Sequence, residues 1–188
     1  EPEGDEYVVQ AMFTFEDLDE ARLASAWQSL AQQHEVFRGI FVWEDTSVPL
    51  QLVAPRADIV VETADFANDA ALAEHRATLR VAGELLARRP AMHLLVARLP
   101  DRRSVLVWTY HHILFDGWSS ALVLNDLMVA YARPTTGHVS PSPSFGAYVR
   151  WLSRLDQSQA KAFWSEYMAG FTEPVGITSV ARPAPVAF

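Results

Sequence analysis

The run His111-His112-Ile113-Leu114-Phe115-Asp116-Gly117-Trp118-Ser119 brings two imidazoles, a carboxylate and a glycine together in one short stretch. Imidazole is the side chain best suited to take up or hold a proton near neutral pH, so general acid–base work or hydrogen-bond positioning is the chemistry this stretch could do. Two imidazoles and a carboxylate could instead surround iron or zinc. Successive side chains of a strand face opposite sides, so His111 and His112 should diverge, and no cluster of further Cys, Asp or Glu ligands surrounds them. One histidine then faces a site and the other faces packing. The alternative for any such pair is two satisfied structural histidines.

The elements around the run explain how it would be displayed. Val105 to Tyr110 is rich in β-branched and aromatic residues and reads as a buried strand. After Gly117, the apolar residues Trp118, Ala121, Leu122, Leu124 and Met128 recur at helical spacing, with no Pro or Gly before Pro134. The nonapeptide is therefore a strand-to-helix elbow, and loops at such junctions often carry function. Upstream, Tyr7 to Phe15 reads as a strand, Asp17 to Glu20 as an acidic helix start, and Leu23, Ala26, Trp27 and Leu30 as one face of a helix running to His34. Val36 to Trp43 reads as a strand, with shorter ones at Pro49 to Val53 and Ile59 to Val61. Asn68 can cap a helix that fades near Arg88-Arg89-Pro90 and is weakened by Gly83. Met92 to Leu99 and Ser104 to Tyr110 form a hairpin around Pro100 to Arg103, and Thr135 to Ser144 is a loop before two more helices. The tail from Thr172, with Pro174, Gly176, Pro183 and Pro185, has linker composition.

Composition narrows the partners. The chain has 188 residues, half of them hydrophobic, enough for one core. A net charge of −8 argues against nucleic acid, since phosphate binding needs a basic surface. Absence of cysteine excludes disulfides and thiolate metal sites, and with the two histidines diverging and no ligand cluster around them no metal is expected. No apolar run approaches a membrane span and the start is acidic, so a cytoplasmic protein without a membrane partner is expected.

The elbow resembles the His-His-x-x-x-Asp-Gly signature of the condensation domains of nonribosomal peptide synthetases, within a superfamily of acyltransferases that includes chloramphenicol acetyltransferase. Gln33-His34-Glu35-Val36-Phe37-Arg38-Gly39-Ile40-Phe41 is similar to that family's Arg-His-Glu-x-Leu-Arg-Thr-x-Phe motif, departing at Gln33, Phe37 and Gly39 and keeping Arg38. Phe145 to Trp151 resembles a third motif, with Ala147 where the family has Asp, and Ala162 to Gly170 resembles the helix end that follows it. The family's opening motif and its whole second lobe have no counterpart, so the chain looks like the first lobe of a two-lobed domain. Residues 1–171 would form that lobe and 172–188 a linker toward the missing second one.

The resemblance implies an α/β (α+β sandwich) fold, a chloramphenicol acetyltransferase-like lobe in which a mixed β-sheet packs with helices. It implies amide bond formation between a donor acyl or peptidyl thioester and an acceptor aminoacyl thioester. No cofactor would be bound directly, because both substrates ride on phosphopantetheine arms of the upstream and downstream peptidyl carrier proteins. His112 would act on the amine as general base or positioning group, and His111 would brace the elbow. Gly117 would allow a tight turn and close substrate approach, with its N–H as a donor. Asp116 would turn away and form a buried ion pair with Arg38, the alternative being that it orients His112. Trp118 is expected in the core, and the role of His34 in its motif is expected to be structural. Arg88-Arg89 and Arg102-Arg103 could touch a phosphopantetheine phosphate or carrier helix, or be solvated turns. The isolated lobe would not turn over. An epimerisation domain shares the two histidines but would carry Val-Ser-Trp after the glycine, where this chain has Trp118-Ser119-Ser120. A carrier-docking lobe without catalysis is the third alternative.

Overall fold

The computed structural model describes residues 5, 7–133 and 144–172. The expected loop at 135–144, apart from Ser144, and the expected linker beyond Thr172 lie outside the described residues, as does His138. Contacts divide the chain into two units after Ser144.

The first unit opens with strand β1 (Val8–Glu16) and helix α1 (Glu20–Gln33). Asp19 caps α1 by accepting the Arg22 N–H at 2.9 Å, and Leu23, Ala26, Trp27, Leu30 and Ala31 make its buried stripe, the i, i+3, i+4, i+7, i+8 pattern of a core-facing helix. A short 3-10 turn, Glu35–Arg38, precedes strand β2 (Gly39–Val42), which pairs antiparallel with β3 (Leu50–Val53) as a separate ribbon. The strand expected from Val36 therefore starts three residues late. The cause is Phe37: the turn drives its ring, fully buried, edge-on against Trp27 at 5.9 Å, where an extended backbone would carry it along the ribbon.

Strand β4 (Val61–Asp65) leads into α2 (Asp69–Thr78), capped by the Asn68 side chain, and then α3 (Ala82–Ala87). The expected single helix breaks at Leu79–Val81 and not at Gly83, which lies inside α3. Arg80 in that break reaches Asp5 Oδ2 at 2.8 Å and the Val8 carbonyl, tying the helices to the start of β1. Strands β5 (Met92–Arg98) and β6 (Arg103–His111) form the expected hairpin, and helix α4 (Gly117–Ala132) follows.

The main sheet has the order β1-β6-β5-β4, with β4 parallel to β5 and the other pairs antiparallel. Its two central strands are buried almost throughout because both faces are covered. Leu94, Val96, Leu106, Trp108 and Tyr110 pack with residues of α1 and α4, while Leu95, Ala97, Val105 and Val107 join Leu72 of α2. Period-two alternation sends neighbouring residues to opposite cores.

The α2 face also carries a polar row across all four strands. Gln10 donates to Thr109 Oγ1 at 3.0 Å, Thr109 stands opposite His93, and His93 Nε2 meets Glu62 Oε2 at 2.9 Å. Arg76 of α2 closes the row by donating to Gln10 Oε1 at 2.9 Å. Burying polar groups here costs little because most find partners.

The second unit contains the two expected helices, α5 (Phe145–Leu152) and α6 (Ser158–Tyr167). Asp156 accepts the Ser158 N–H at 2.8 Å at the start of α6.

Candidate active site

Strand β6 ends at His111, opposite Val8 of β1. The next residues are pinned from both sides. His111 N–H donates to the Ala91 carbonyl at 3.0 Å, His112 N–H to the Tyr7 carbonyl at 2.7 Å, and Leu114 N–H to the His111 carbonyl at 3.1 Å. Tyr7 reaches that acceptor position in the left-handed region, with φ of 65°, a conformation uncommon for a bulky residue. Leu114 and Phe115 then turn into the core, and the Phe115 ring lies 4.6 Å from Tyr110, 5.5 Å from Trp108 and 6.0 Å from Phe37. An aromatic anchor inside thus fixes a loop whose polar residues remain outside.

The two histidines take opposite tautomers. His112 Nδ1 lies 3.1 Å from the Phe115 carbonyl oxygen. A carbonyl can only accept, so Nδ1 carries the proton and Nε2 of the neutral ring carries the lone pair. His111 Nδ1 accepts the Ile113 N–H at 3.0 Å, which puts the proton of its neutral ring on Nε2. Burial, and then the adjacent His112, hold the His111 imidazole below the usual histidine range. His112 is exposed and His111 half-buried.

Asp116 is the N-cap of α4. Its Oδ1 accepts the Ser119 N–H at 2.8 Å and its carbonyl the Ser120 N–H at 2.9 Å. Hydrogen bonds from Ser119, its amide first and then its side chain, hold the exposed carboxyl below the usual carboxylate range. The expected buried ion pair with Arg38 is not formed. Arg38 Nη1 instead donates to the Ala54 carbonyl at 3.2 Å and the Pro55 carbonyl at 3.5 Å, while Ala54 N–H returns a bond to the Arg38 carbonyl at 2.9 Å. The 3-10 turn aims the guanidinium at the residues after β3, and the unpaired amides of a helix start claim the carboxylate. The alternative, Asp116 orienting His112, is not realised either, since the Phe115 carbonyl holds Nδ1.

Another contact joins the first motif segment to the helix that follows the elbow. His34, at the C-terminus of α1, places Nε2 2.9 Å from Asp126 Oδ2 on α4. Sequence reading singled out His34 but missed Asp126, whose signal is that it is the one charged side chain of α4, set between the buried Val123 and Leu127.

Gly117 opens α4 without a positive φ, so the turn does not require glycine, and a methyl group there would meet nothing within 4 Å. Trp118, expected in the core, is 85% exposed. Helix α4 is apolar on both faces: Val123 and Leu127 take the core, leaving Trp118, Leu122 and Val129 outside. Of the basic pairs, Arg103 opens β6 and pairs with Asp69 and Asp101, Arg102 just before it pairs with Asp17, and Arg88 after α3 pairs with Glu62. No three His, Asp or Glu side chains are gathered as metal ligands among the described residues.

The mixed sheet packed with helices is the chloramphenicol acetyltransferase-like fold. The chain belongs to the condensation domain family, whose family model, described as Condensation domain, matches residues 1–187. It is 35% identical over 181 residues to a component of the linear gramicidin synthase of Brevibacillus parabrevis, covering 92% of this chain and 4% of that protein. It is 37% identical over 175 residues to chondramide synthase cmdD of Chondromyces crocatus, covering 89% and 4%. Among solved structures, the complex of the X-domain and OxyB from teicoplanin biosynthesis matches with a TM-score of 0.77 at 23% identity, over 95% of this chain and 42% of that one. The EpoB cyclization-docking bidomain from Sorangium cellulosum matches at 0.71 and 20% identity, over 89% and 35%. The chain thus spans a small part of these synthases. No helix among the described residues is long and apolar enough to cross a membrane.

Proposed function

We propose that this chain carries the histidine-bearing wall of a site that forms an amide bond between two carrier-bound thioesters. The observation that carries the reading is the exposed His112 ring, whose Nδ1 is engaged by the Phe115 carbonyl so that Nε2 offers a lone pair outward. In the reaction, the acceptor's amine nitrogen bonds to the donor's carbonyl carbon, the C–S bond breaks, and the proton lost by nitrogen ends on the departing thiolate. An α-amino group has a reference pKa of about 7.7–8.0, so near neutrality much of it must shed a proton before it attacks. His112 Nε2 accepts that proton or holds the amine by a hydrogen bond; in both roles, orientation does much of the work because the donor carbonyl is already activated.

Gly117, with open space beside its Cα and its N–H at the start of α4, is the donor for the thioester oxygen. His111 and Asp116 brace the elbow through the Ile113 and Ser119 amides, and Arg38 braces the segment after β3. The partners are the upstream and downstream peptidyl carrier proteins, which present both substrates on phosphopantetheine arms, and a second lobe that closes the site. Alone, the 188-residue chain mixed with two aminoacyl carrier proteins is expected to give no dipeptide above background.

Supplying the complete domain with donor and acceptor aminoacyl carriers, and reading the acceptor by mass spectrometry, tests the assignment. A dipeptidyl acceptor supports it. Deuterium wash-in at the α-carbon of a single peptidyl thioester, without dipeptide, would mean epimerisation, and neither product would leave a docking lobe.

A further inference from the structure

We infer that the His34–Asp126 contact is a positioning device for His112, acting through Phe37 and Phe115; the inference rests on the catalytic assignment of His112 proposed above. His34 Nε2 meets Asp126 Oδ2 at 2.9 Å and bridges the end of α1 to the middle of α4, with both side chains about three-quarters buried or slightly less, at 22% and 32% exposure. The carboxylate can only accept when ionised, so His34 donates from Nε2.

The His34 ring stands edge-on to Phe37 at 6.3 Å, and Phe37 stands edge-on to Phe115 at 6.0 Å. Phe115 is the residue whose carbonyl holds His112 Nδ1. Immediately after it come Asp116 and α4, the helix that carries Asp126. Phe115 is therefore caught between two parts that His34 and Asp126 clasp together: Phe37, which follows α1, and the start of α4. A packed aromatic contact has discrete arrangements and does not stretch smoothly, so a slide of α4 along α1 would re-seat Phe115 and turn its carbonyl away from His112. The imidazole would then lose the bond that selects its tautomer. The pair touches no substrate in this scheme, and its effect reaches the reaction through the ring orientation alone.

The experiment uses the complete domain with histidine labelled by nitrogen-15, reading the His112 ring nitrogens by NMR together with kcat and KM for dipeptide formation. His34→Ala and Asp126→Ala are each expected to move His112 from a pure Nδ1–H ring to a mixture of tautomers. Each should lower kcat by about ten- to a hundredfold, the scale of a displacement near 1 Å, with little change in KM. The double variant should lose no more than either single, and His34→Gln, which keeps a donor, should recover most of the rate. If the alanine variants fold poorly, Asp126→Asn decides: a smaller drop in kcat with a shifted tautomer supports the device, and wild-type values for both overturn it. An unchanged His112 spectrum and unchanged kcat per folded molecule, or additive losses in the double, overturn it as well. A domain that makes no dipeptide at all would sink the catalytic proposal instead, while the ring spectrum would still report on the coupling.

Discussion

The Phe115 carbonyl oxygen lies 3.1 Å from Nδ1 of His112, so the group that orients this imidazole belongs to the main chain of its own loop. A carboxylate partner would draw positive charge onto the ring. A neutral carbonyl fixes the tautomer and leaves the lone pair on Nε2. The arrangement also frees Asp116 to cap α4, which sets the direction of the helix that follows.

Gly117→Ala separates fold from function. The position has no positive φ and no neighbour within 4 Å of a new methyl group, so the substitution should leave stability unchanged or raise it by about 0.4–1 kcal/mol through the unfolded chain. If substrate approaches the backbone there, turnover should nevertheless fall by up to about a hundredfold. Denaturant melts and steady-state dipeptide formation, measured on the same preparation, check both halves.

Arg38 and Asp116 should behave as strangers. They share no contact, since one holds Ala54 and Pro55 and the other holds Ser119. Arg38→Ala and Asp116→Ala are expected to destabilise independently, with the double equal to the sum of the singles. A double-mutant cycle by denaturant melts measures this; a substantial coupling energy would restore the ion pair.

Acid should weaken the fold in two windows. Burial and His112 hold His111 below its ordinary value of 6.5, so the unfolded chain takes up that proton at higher pH than the folded one. The stability it contributes is complete above pH 6.5 and is lost as pH falls through the lower folded value. Glu62 is held below its ordinary 4.5, first by the His93 hydrogen bond, so its contribution is complete above 4.5 and is lost further into acid. Its carboxylate is half exposed, so this second step should be modest. Melts across pH should show the upper step vanish in His111→Asn and the lower one shrink without vanishing in Glu62→Gln, because Asp116 and Glu20 are held low as well.

Period and capping chemistry made much of the fold legible. The stripe from Leu23 to Leu30, the acidic helix start at Asp17 to Glu20, the cap Asn68 and the β5–β6 hairpin all follow from residue types at set spacings. The turn at Glu35–Arg38 was hidden because Val36, Ile40, Phe41 and Val42 read as one extended run, and long-range packing of Phe37 overrode local preference. At the site, the histidines and the elbow were visible. The Phe115 carbonyl was not, because a main-chain acceptor leaves no mark in the residue type. Asp126 lies 92 positions from His34, and no local pattern signals that pairing. The position of Trp118 was misread because an apolar helix shows the same periodicity whichever face turns to the core.

Replacement of His112 by alanine in the complete domain is the most direct measurement, with the dipeptidyl acceptor carrier followed by mass spectrometry and the fold by circular dichroism. The ring is exposed, so its loss should leave the fold and its melting unchanged. Dipeptide formation should fall by about 100- to 10,000-fold, the range for removal of a positioned proton acceptor. Near-normal dipeptide from a folded His112→Ala domain would take His112 out of the mechanism.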